Sequence, residues 1–396
     1  MLKLLIVADD FTGALDSGVQ FAALGADTKV ITDSSYDLSK VQGLDVLIFD
    51  AETRHVTKEE AYKKIFDFVK RVAALNVPYV YKKTDSGLRG NIGSELAGAM
   101  DALCLDTISF IPAFPKMNRI TRGGVHYVDG VPVAQSMFGQ DPFEPVKFSS
   151  VNEIIKSQTD KTGIKIFDAE KDSDLLKIAE DLKAQGALKL TAGCAGFAAC
   201  LAKVIGFSGE AKKIPAMPKK FFMVCGSVNP VTKKQVDYAH AKGFKKICLN
   251  VEQKLNPSWP GSQSCNEAAE NWLKEIQNFN AILDANNPNE LTQTEEYIKS
   301  HRLTINQVRL NISRAVTGAA KALLDKGLEA RLMCVGGDTL LALMEAVGVH
   351  ELVPLCEIEK GVVLTAFNYK DKNYFIMTKS GGFGEEDLLT RLAENF

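Results

Sequence analysis

Short apolar runs alternate along the chain with longer stretches in which apolar residues recur every three or four positions. LKLLIV (2–7), TKVIT (28–32), DVLIF (45–49), YVYKK (79–83) and TISFI (107–111) read as buried strands, and Glu59 to Leu75 reads as an amphipathic helix between two of them. Such alternation predicts a mostly parallel sheet covered by helices on both faces. RGGVHYVDGVPV (122–133) breaks the rhythm, and its Asp129-Gly130 pair between alternating residues predicts a β-hairpin. GFSGEAKKIPAMPKK (206–220) loses periodicity and gathers Gly, Pro and Lys, which predicts a linker. The alternation then restarts with FFMVCGS (221–227), NAILDA (280–285) and ARLMCVGG (330–337), and a long helix begins near Thr304. GVVLTAF (361–367) and NYFIMTK (373–379) flank a polar turn and predict an antiparallel pair. No internal repeat is visible. The expected fold class is α/β in two domains, over residues 1–210 and 220–396. Each is a mostly parallel sheet flanked by helices, and the second carries antiparallel end strands.

Composition narrows the class. The chain has 396 residues, 46% hydrophobic and 24% charged, with a net charge of -2. That is the make-up of an ordinary soluble globular protein with ample core. No basic arm or basic run with interleaved aromatics suggests nucleic acid as a partner, and no apolar run reaches the length of a membrane span. MLKLLIVADD turns acidic too soon for a secretion signal. Eight cysteines stand as singles and five histidines lie far apart, so neither a zinc site nor a disulfide framework is expected. The expected location is the reducing cytoplasm.

In sheets of this kind ligands sit beyond the carboxyl ends of the strands, and several segments there depart from core composition. ADDFTGA (8–14) puts Asp9 and Asp10 at a strand end, with a helix starting near Thr12. Helix capping explains one such carboxylate as well as ligand binding does; the pair can also accept hydroxyl hydrogen bonds or hold Mg²⁺ through water. AETRH (51–55) places Arg54 at another strand end, where a guanidinium can clamp a carboxylate through two hydrogen bonds. YKKTDSGLRGNIGSEL (81–96) combines Lys82, Lys83, Asp85, Ser86 and Arg89 around a turn leading into a helix near Asn91. Cations and a helix N-terminus suit an acidic or phosphorylated ligand, and Asp85 can orient or deprotonate a hydroxyl; a charged surface turn is the plainer alternative. CGSVNPVT (225–232), VGGDT (335–339) and KSGGFG (379–384) each follow a predicted strand, and glycine turns of this kind expose amides that nest phosphate. No P-loop, dinucleotide fingerprint or protein-kinase motif set is present.

Taken in order, ADDFTGA, TRH, KKTDSGLRGNIGSEL, PAFP with GGVHYVDGVPV, CGSVNPVTKKQ, GGDT and KSGGFG closely resemble the four-carbon acid sugar kinase family across nearly the whole chain. The resemblance implies phosphorylation of the 4-hydroxyl of a tetronate such as D-threonate, D-erythronate or 3-oxo-tetronate by ATP. It implies an N-terminal domain for the acid sugar and a C-terminal domain for the nucleotide. By motif position Asp10 is a substrate ligand, Arg54 the substrate-anchoring arginine, and Lys83, Thr84, Asp85 and Ser86 the substrate loop. Ser227, Gly336, Gly337, Asp338, Thr339, Gly381, Gly382, Phe383 and Gly384 are the implied ATP contacts, along with Asn229. Asn229 stands where a second serine is usual, and Asp338 where glutamate is common.

Phosphoryl transfer needs an aligned hydroxyl, a Mg²⁺-bound triphosphate and positive charge around the transferring group. Asp85 and Lys83 are the expected catalytic pair, Asp85 accepting or aligning the hydroxyl proton and Lys83 neutralising charge. Arg89 contacts phosphate or pairs with Glu95. The expected cofactors are ATP and Mg²⁺, with no metal ligands assigned. The expected partners are small molecules, and a homodimer is the default assembly for such enzymes. Two other readings stand beside this one: a metal-dependent sugar-acid isomerase or lyase using Asp9 and Asp10, and a nucleotide or metabolite sensor without turnover.

Overall fold

A computed structural model describes residues 2–141, 144–214, 216–379 and 381–395. Pro215 of the expected linker and Ser380 of the KSGGFG turn lie outside the described residues. The chain divides into two compact units. The first runs to Lys212 and includes Val353–Cys356; the second comprises Lys213–Leu352 and the residues from Glu357 onward.

Along residues 1–212 the described strands are β1 (Leu4–Ala8), β2 (Thr28–Ile31), β3 (Val46–Asp50), β4 (Tyr79–Lys83), β5 (Ile108–Ile111), β6 (Arg119–Arg122), β7 (Val125–Val128), β8 (Val131–Pro132), β9 (Ile164–Ile166) and β10 (Leu190–Gly193). The helices there are α1 (Phe11–Ala22), α2 (Lys58–Ala73), α3 (Ile92–Ala102), α4 (Val151–Lys156), α5 (Asp172–Ala184) and α6 (Ala195–Val204). Seven strands form a parallel sheet in the order β2-β3-β1-β4-β10-β5-β9. Every residue of β1 and β3 is buried, as expected of strands covered on both faces. The α2 segment is helical because Thr57 and Glu60 close a capping box at its start and Ala61, Ile65, Phe68, Val69 and Val72 repeat on its buried face. Phe68 stacks on Phe49 of β3 with ring centroids 3.9 Å apart; burying such a ring contributes about 1.5–3 kcal/mol. β6, β7 and β8 make a separate antiparallel sheet, and Asp129 (φ 50°) with Gly130 (φ 80°) forms the tight turn that the sequence predicts.

The second unit contains β11 (Phe221–Cys225), β12 (Lys245–Cys248), β13 (Ala281–Asp284), β14 (Arg331–Val335), β15 (Glu351–Glu359), β16 (Val362–Tyr369) and β17 (Lys372–Lys379). Its helices are α7 (Pro230–Ala241), α8 (Val251–Leu255), α9 (Gln263–Ile276), α10 (Leu291–Ser300), α11 (Ile305–Asp325), α12 (Gly337–Val347) and α13 (Leu388–Glu394). β12-β13-β11-β14-β17 are parallel, and β16 runs antiparallel to β17. Arg331, fully buried, donates to the carbonyls of Leu392, Ala393 and Lys219, which ties α13 to this unit.

Five strands escape the periodicity reading, the first being RITR of β6, which ends where the predicted hairpin stretch begins. IKI of β9 and KKIC of β12 lie at sheet edges and keep partly exposed positions, so they lack an apolar run. LTAG of β10 is buried but made of small residues. In β15 the bend-prone Pro354 interrupts the pattern. The sequence reading also assigns Val353–Cys356 to the second domain, whereas these residues belong to the first unit. Pro354 there lies against Gly18 of α1, close enough that a Cβ on Gly18 would meet its Cγ at 2.6 Å.

Candidate active site

β3, β1 and β4 are neighbours, and their carboxyl ends bring three sequence segments to one place. Asp9 and Asp10 follow β1, Arg54 follows β3, and Lys83 closes β4 ahead of Thr84, Asp85 and Ser86. Arg54 is the hub. Its Nε and Nη2 donate to Asp9 Oδ2 at 3.0 and 2.8 Å, and its Nη1 donates to Asp10 Oδ2 at 3.0 Å. Nη2 also lies 2.8 Å from Asp10 Oδ1 and 3.5 Å from Asp85 Oδ1. Of the roles weighed from the sequence Asp10 fills that of the cap, since its Oδ1 also accepts from the Gly13 amide as the N-cap of α1. Two glycines make this convergence possible. A Cβ on Gly13 would meet Asp10 Oδ1 and Lys83 Nζ, each at 2.6 Å, and one on Gly90 would press on the Cγ and Cα of Arg54.

The site side of this unit is therefore densely charged and buried. Burial alone would raise the Asp9 carboxyl; Arg54, Lys83 and Lys82 outweigh it and hold Asp9 below its ordinary value. Against the same burial, Arg54 and Arg89 hold Asp85 well below the usual carboxylate range. Asp50 has no such partner: burial, then Glu52 and Asp10, push it well above that range.

The structure changes the reading of several predicted residues. Arg54 is not an open fork awaiting a carboxylate, because Asp9 and Asp10 already fill most of its donors. Asp85 is not a lone carboxylate. Its Oδ2 accepts from the amides of Gly87 and Arg89 and from Arg89 Nε at 2.9 Å, while Arg89 Nη2 donates to Oδ1. Arg89 pairs with Asp85 and Asp141, and Glu95 instead takes Lys82 at 2.9 Å in a fully buried pair. Nor does Asp85 cap α3, whose N-cap is Asn91.

Sequence reasoning missed what grips this loop from outside. The β6–β7 hairpin contributes Arg119 and His126. Arg119 Nη1 donates to Ser86 Oγ. His126 Nε2 bonds the Ser86 carbonyl at 3.0 Å, and its Nδ1 lies 3.0 Å from Thr121 Oγ1. A carbonyl can only accept, so the proton sits on Nε2 and the threonine hydroxyl donates to Nδ1. Burial lowers the imidazole to about 4, which keeps it neutral. Phe138 lies 5.1 Å from both the Arg89 and the Arg119 guanidinium. For His126 the sequence signal was GGVHYVDG, read as a hairpin and as part of the family resemblance but given no site residue.

The second unit shows the same arrangement with different chemistry. β11, β14 and β17 are parallel neighbours, and their carboxyl ends carry the three glycine turns. Ser227 Oγ accepts from the Asn229 amide, and Asn229 Oδ1 caps α7 by accepting from Val231. Gly336, at φ 91°, is the N-cap of α12, which begins at Gly337 with Asp338 and Thr339 in its first turn. Hydrogen bonds to backbone carbonyls hold the turns together: the Gly336 amide donates to the Lys379 carbonyl, Thr232 Oγ1 to the Gly381 carbonyl, and Gln235 Nε2 to the carbonyls of Phe383 and Gly384. Gly381 lies so near Ser227 that a Cβ would stand 3.2 Å from its Oγ, and Gly382 lies beside Asn229. Asp338 is exposed and 3.4 Å from Arg309. Lys379, unassigned from sequence, is buried at this junction, and burial lowers its ammonium to about 8. A buried cation with a depressed pKa beside amide-rich turns makes Lys379 a candidate site residue.

Among the described residues no group of three or more His, Cys, Asp or Glu side chains is arranged to hold a metal ion. The Asp9–Asp10 pair already has Arg54 as its cation. No helix among the described residues is long and apolar enough to cross a membrane.

Residues 4–164 match a domain family described as a sugar-binding N-terminal domain, and residues 222–389 one described as a nucleotide-binding C-terminal domain. The chain is 26% identical to a D-threonate kinase of Salmonella typhimurium, with 98% of this chain and 97% of that protein aligned. It is 25% identical to a D-erythronate kinase of Heliobacterium modesticaldum (98% and 95%) and 23% identical to a 3-oxo-tetronate kinase of Pseudomonas fluorescens (97% and 95%). Among solved structures, a Salmonella typhimurium protein superposes with a TM-score of 0.83 at 21% identity over 100% of both chains. A Haemophilus influenzae protein does so at 0.76 and 20% identity over 99% of each. At such identities the structural likeness is one of fold.

Proposed function

The chain belongs to the four-carbon acid sugar kinase family, and from that premise we propose that it transfers the γ-phosphoryl group of ATP to the 4-hydroxyl of a tetronate. The observation that carries this reading is the pairing of two different strand-end sites on two similar sheets. One gathers buried charges suited to a small polar acid, and the other gathers amide-rich turns suited to a triphosphate.

In the first unit Asp10, Arg54, Lys83, Thr84, Asp85, Ser86 and Arg89 form the sugar site. Asp85 accepts a hydrogen bond from the attacking hydroxyl and aligns it. Held well below the usual carboxylate range, it is a weak proton acceptor, which suits phosphoryl transfer, where positioning outweighs base strength. Lys83 neutralises charge as the new bond forms, and Arg54 keeps Asp9, Asp10 and Asp85 in fixed relation. In the second unit the turns of Ser227 to Asn229, Gly336 to Thr339 and Gly381 to Gly384 receive the nucleotide, and Lys379 adds a cation. Mg²⁺ enters bound to ATP, where it neutralises the triphosphate; the first turn of α12, with Asp338, is the acidic neighbour available to it.

The test is product analysis. The purified chain is incubated with MgATP and D-threonate, D-erythronate or 3-oxo-tetronate, and ADP and phosphate ester are followed by chromatography and ³¹P NMR. A 4-phosphotetronate formed in step with ADP is the expected result. ADP release without ester, or an isomerised acid without ATP, overturns the reading.

A further inference from the structure

Three guanidiniums belong to the sugar-side cluster, and their charges are balanced unequally. Arg54 has Asp9, Asp10 and Asp85 around it. Arg89 has Asp85 and Asp141. Arg119 has no carboxylate within ion-pair distance among the described residues. Its one hydrogen-bond partner there is the neutral Ser86 hydroxyl, and its Nε is buried without a partner. The side chain is nonetheless held in place, with its guanidinium over the Phe138 ring at 5.1 Å. Its charge is felt by the buried His126 imidazole and by the Cys194 thiol. Cys194 follows β10, whose Gly193 is in register with Lys83, and is the N-cap of α6.

A guanidinium held rigid, partly dehydrated and lacking an anion is costly to keep. A planar fork with open donors fits a carboxylate. We infer that Arg119, not Arg54, receives the C1 carboxylate of the substrate, and that the β6–β7 hairpin thereby sets the preference for acid sugars over neutral ones. This rests on the tetronate reading above. Ser86 orients the fork through its hydroxyl, and His126 orients Ser86 through its carbonyl. The bound acid then lies beside the loop that carries Lys83 and Asp85.

The experiment compares wild type, Arg119→Gln and Arg119→Lys on D-threonate, D-erythronate and the primary amides of both. Turnover is measured with MgATP, and binding is measured by calorimetry without it. Wild type is expected to prefer acid over amide by about 10²-fold, the worth of a charged hydrogen-bond pair. In Arg119→Gln that preference falls below about fivefold while KM for ATP stays put, because only the charge-dependent part is lost. Arg119→Lys lies between, since a point charge replaces the fork. If the glutamine variant does not fold, the lysine variant decides: it must weaken the acid at least about tenfold more than the amide. An acid preference that survives at Arg119 overturns the inference and leaves the kinase reading intact. Tetronate binding without ADP formation overturns the kinase reading, and the binding ratios still judge Arg119. A wild type with no affinity for any tetronate overturns both.

Discussion

Asp85 shows why residue type and position do not fix a role. Its sequence context, a carboxylate among cations after a strand, fits a general base. Its surroundings instead deplete its basicity, because two guanidiniums stabilise the ionised form more than burial destabilises it. In the proposed reaction that leaves it the alignment of the hydroxyl. Asp85→Asn keeps an acceptor for the Gly87 and Arg89 amides but loses the charge that orients Arg89 and faces Arg54. The expected result is a fall in kcat of about 10²-fold or more through misalignment, with KM for ATP unchanged. Stability falls by about 1–3 kcal/mol from the weakened charged hydrogen bonds. The measurement is steady-state kinetics with a thermal melt on one preparation, and a near-normal kcat removes Asp85 from the reaction. Over pH 5–8 wild-type kcat shows no limb from this group, since it is ionised throughout.

The β6–β7 hairpin is the element whose purpose the sequence hides. The Asp129-Gly130 turn that the sequence predicts joins β7 to β8, whereas β6 and β7 meet at Gly123-Gly124, and alternation says nothing about what the inward side chains touch. His126 is fully buried and bridges Thr121 and Ser86, so it fastens the hairpin to the Lys83–Arg89 loop. Its folded pKa, about 4, lies below the ordinary 6.5. A group with a depressed folded pKa lends stability that is complete above the unfolded value and is lost as pH falls toward the folded one. Wild-type stability is therefore expected to decline from about pH 6.5 to pH 4 by about 3 kcal/mol on account of this residue. His126→Phe is less stable at pH 7, because the Ser86 carbonyl loses its donor, and its pH curve lacks that decline. Urea denaturation at pH 4.5, 5.5 and 7 separates the two, and parallel curves for wild type and variant would show that His126 is not the titrating group.

At the scale of the molecule the proposal is a division of labour. Each unit has its own parallel sheet, and each set of candidate residues sits at the carboxyl ends of three adjacent strands of one sheet. A side chain at Gly381 would crowd Ser227, Asn229 and Thr232, all residues of the second unit. Gly381→Val in the full chain is therefore expected to abolish measurable ATP binding and to leave the tetronate Kd within about twofold, as independent sites do. Calorimetry with each ligand checks this, and a parallel loss of tetronate binding would mean that the sites are not divided in this way. The full chain is the right object for the test, since a fragment ending at Lys212 lacks Val353–Cys356, which belong to the first unit.

What the sequence determined by itself is the order of strands and helices, the glycine turns and the choice of chemical groups. Period, capping boxes and turn residues act over a few positions, and LLIVA, KEEAYKKIF and VDGV carry those signals locally. Most of the residues that gather at the two sets of strand ends stand in segments that the sequence singles out, because loops after parallel strands depart from core composition where ligands sit. What only the tertiary structure decided is which charges meet. Asp9 and Arg54 are 45 residues apart, Arg119 and Ser86 33, and Gln235 and Phe383 148. Strand order sets those encounters, and it depends on which apolar faces bury one another across the whole unit. So the engagement of Arg54, the depressed Asp85, the lack of a carboxylate beside Arg119 among the described residues and the transfer of Val353–Cys356 to the first unit follow from packing at a distance, which no local pattern encodes.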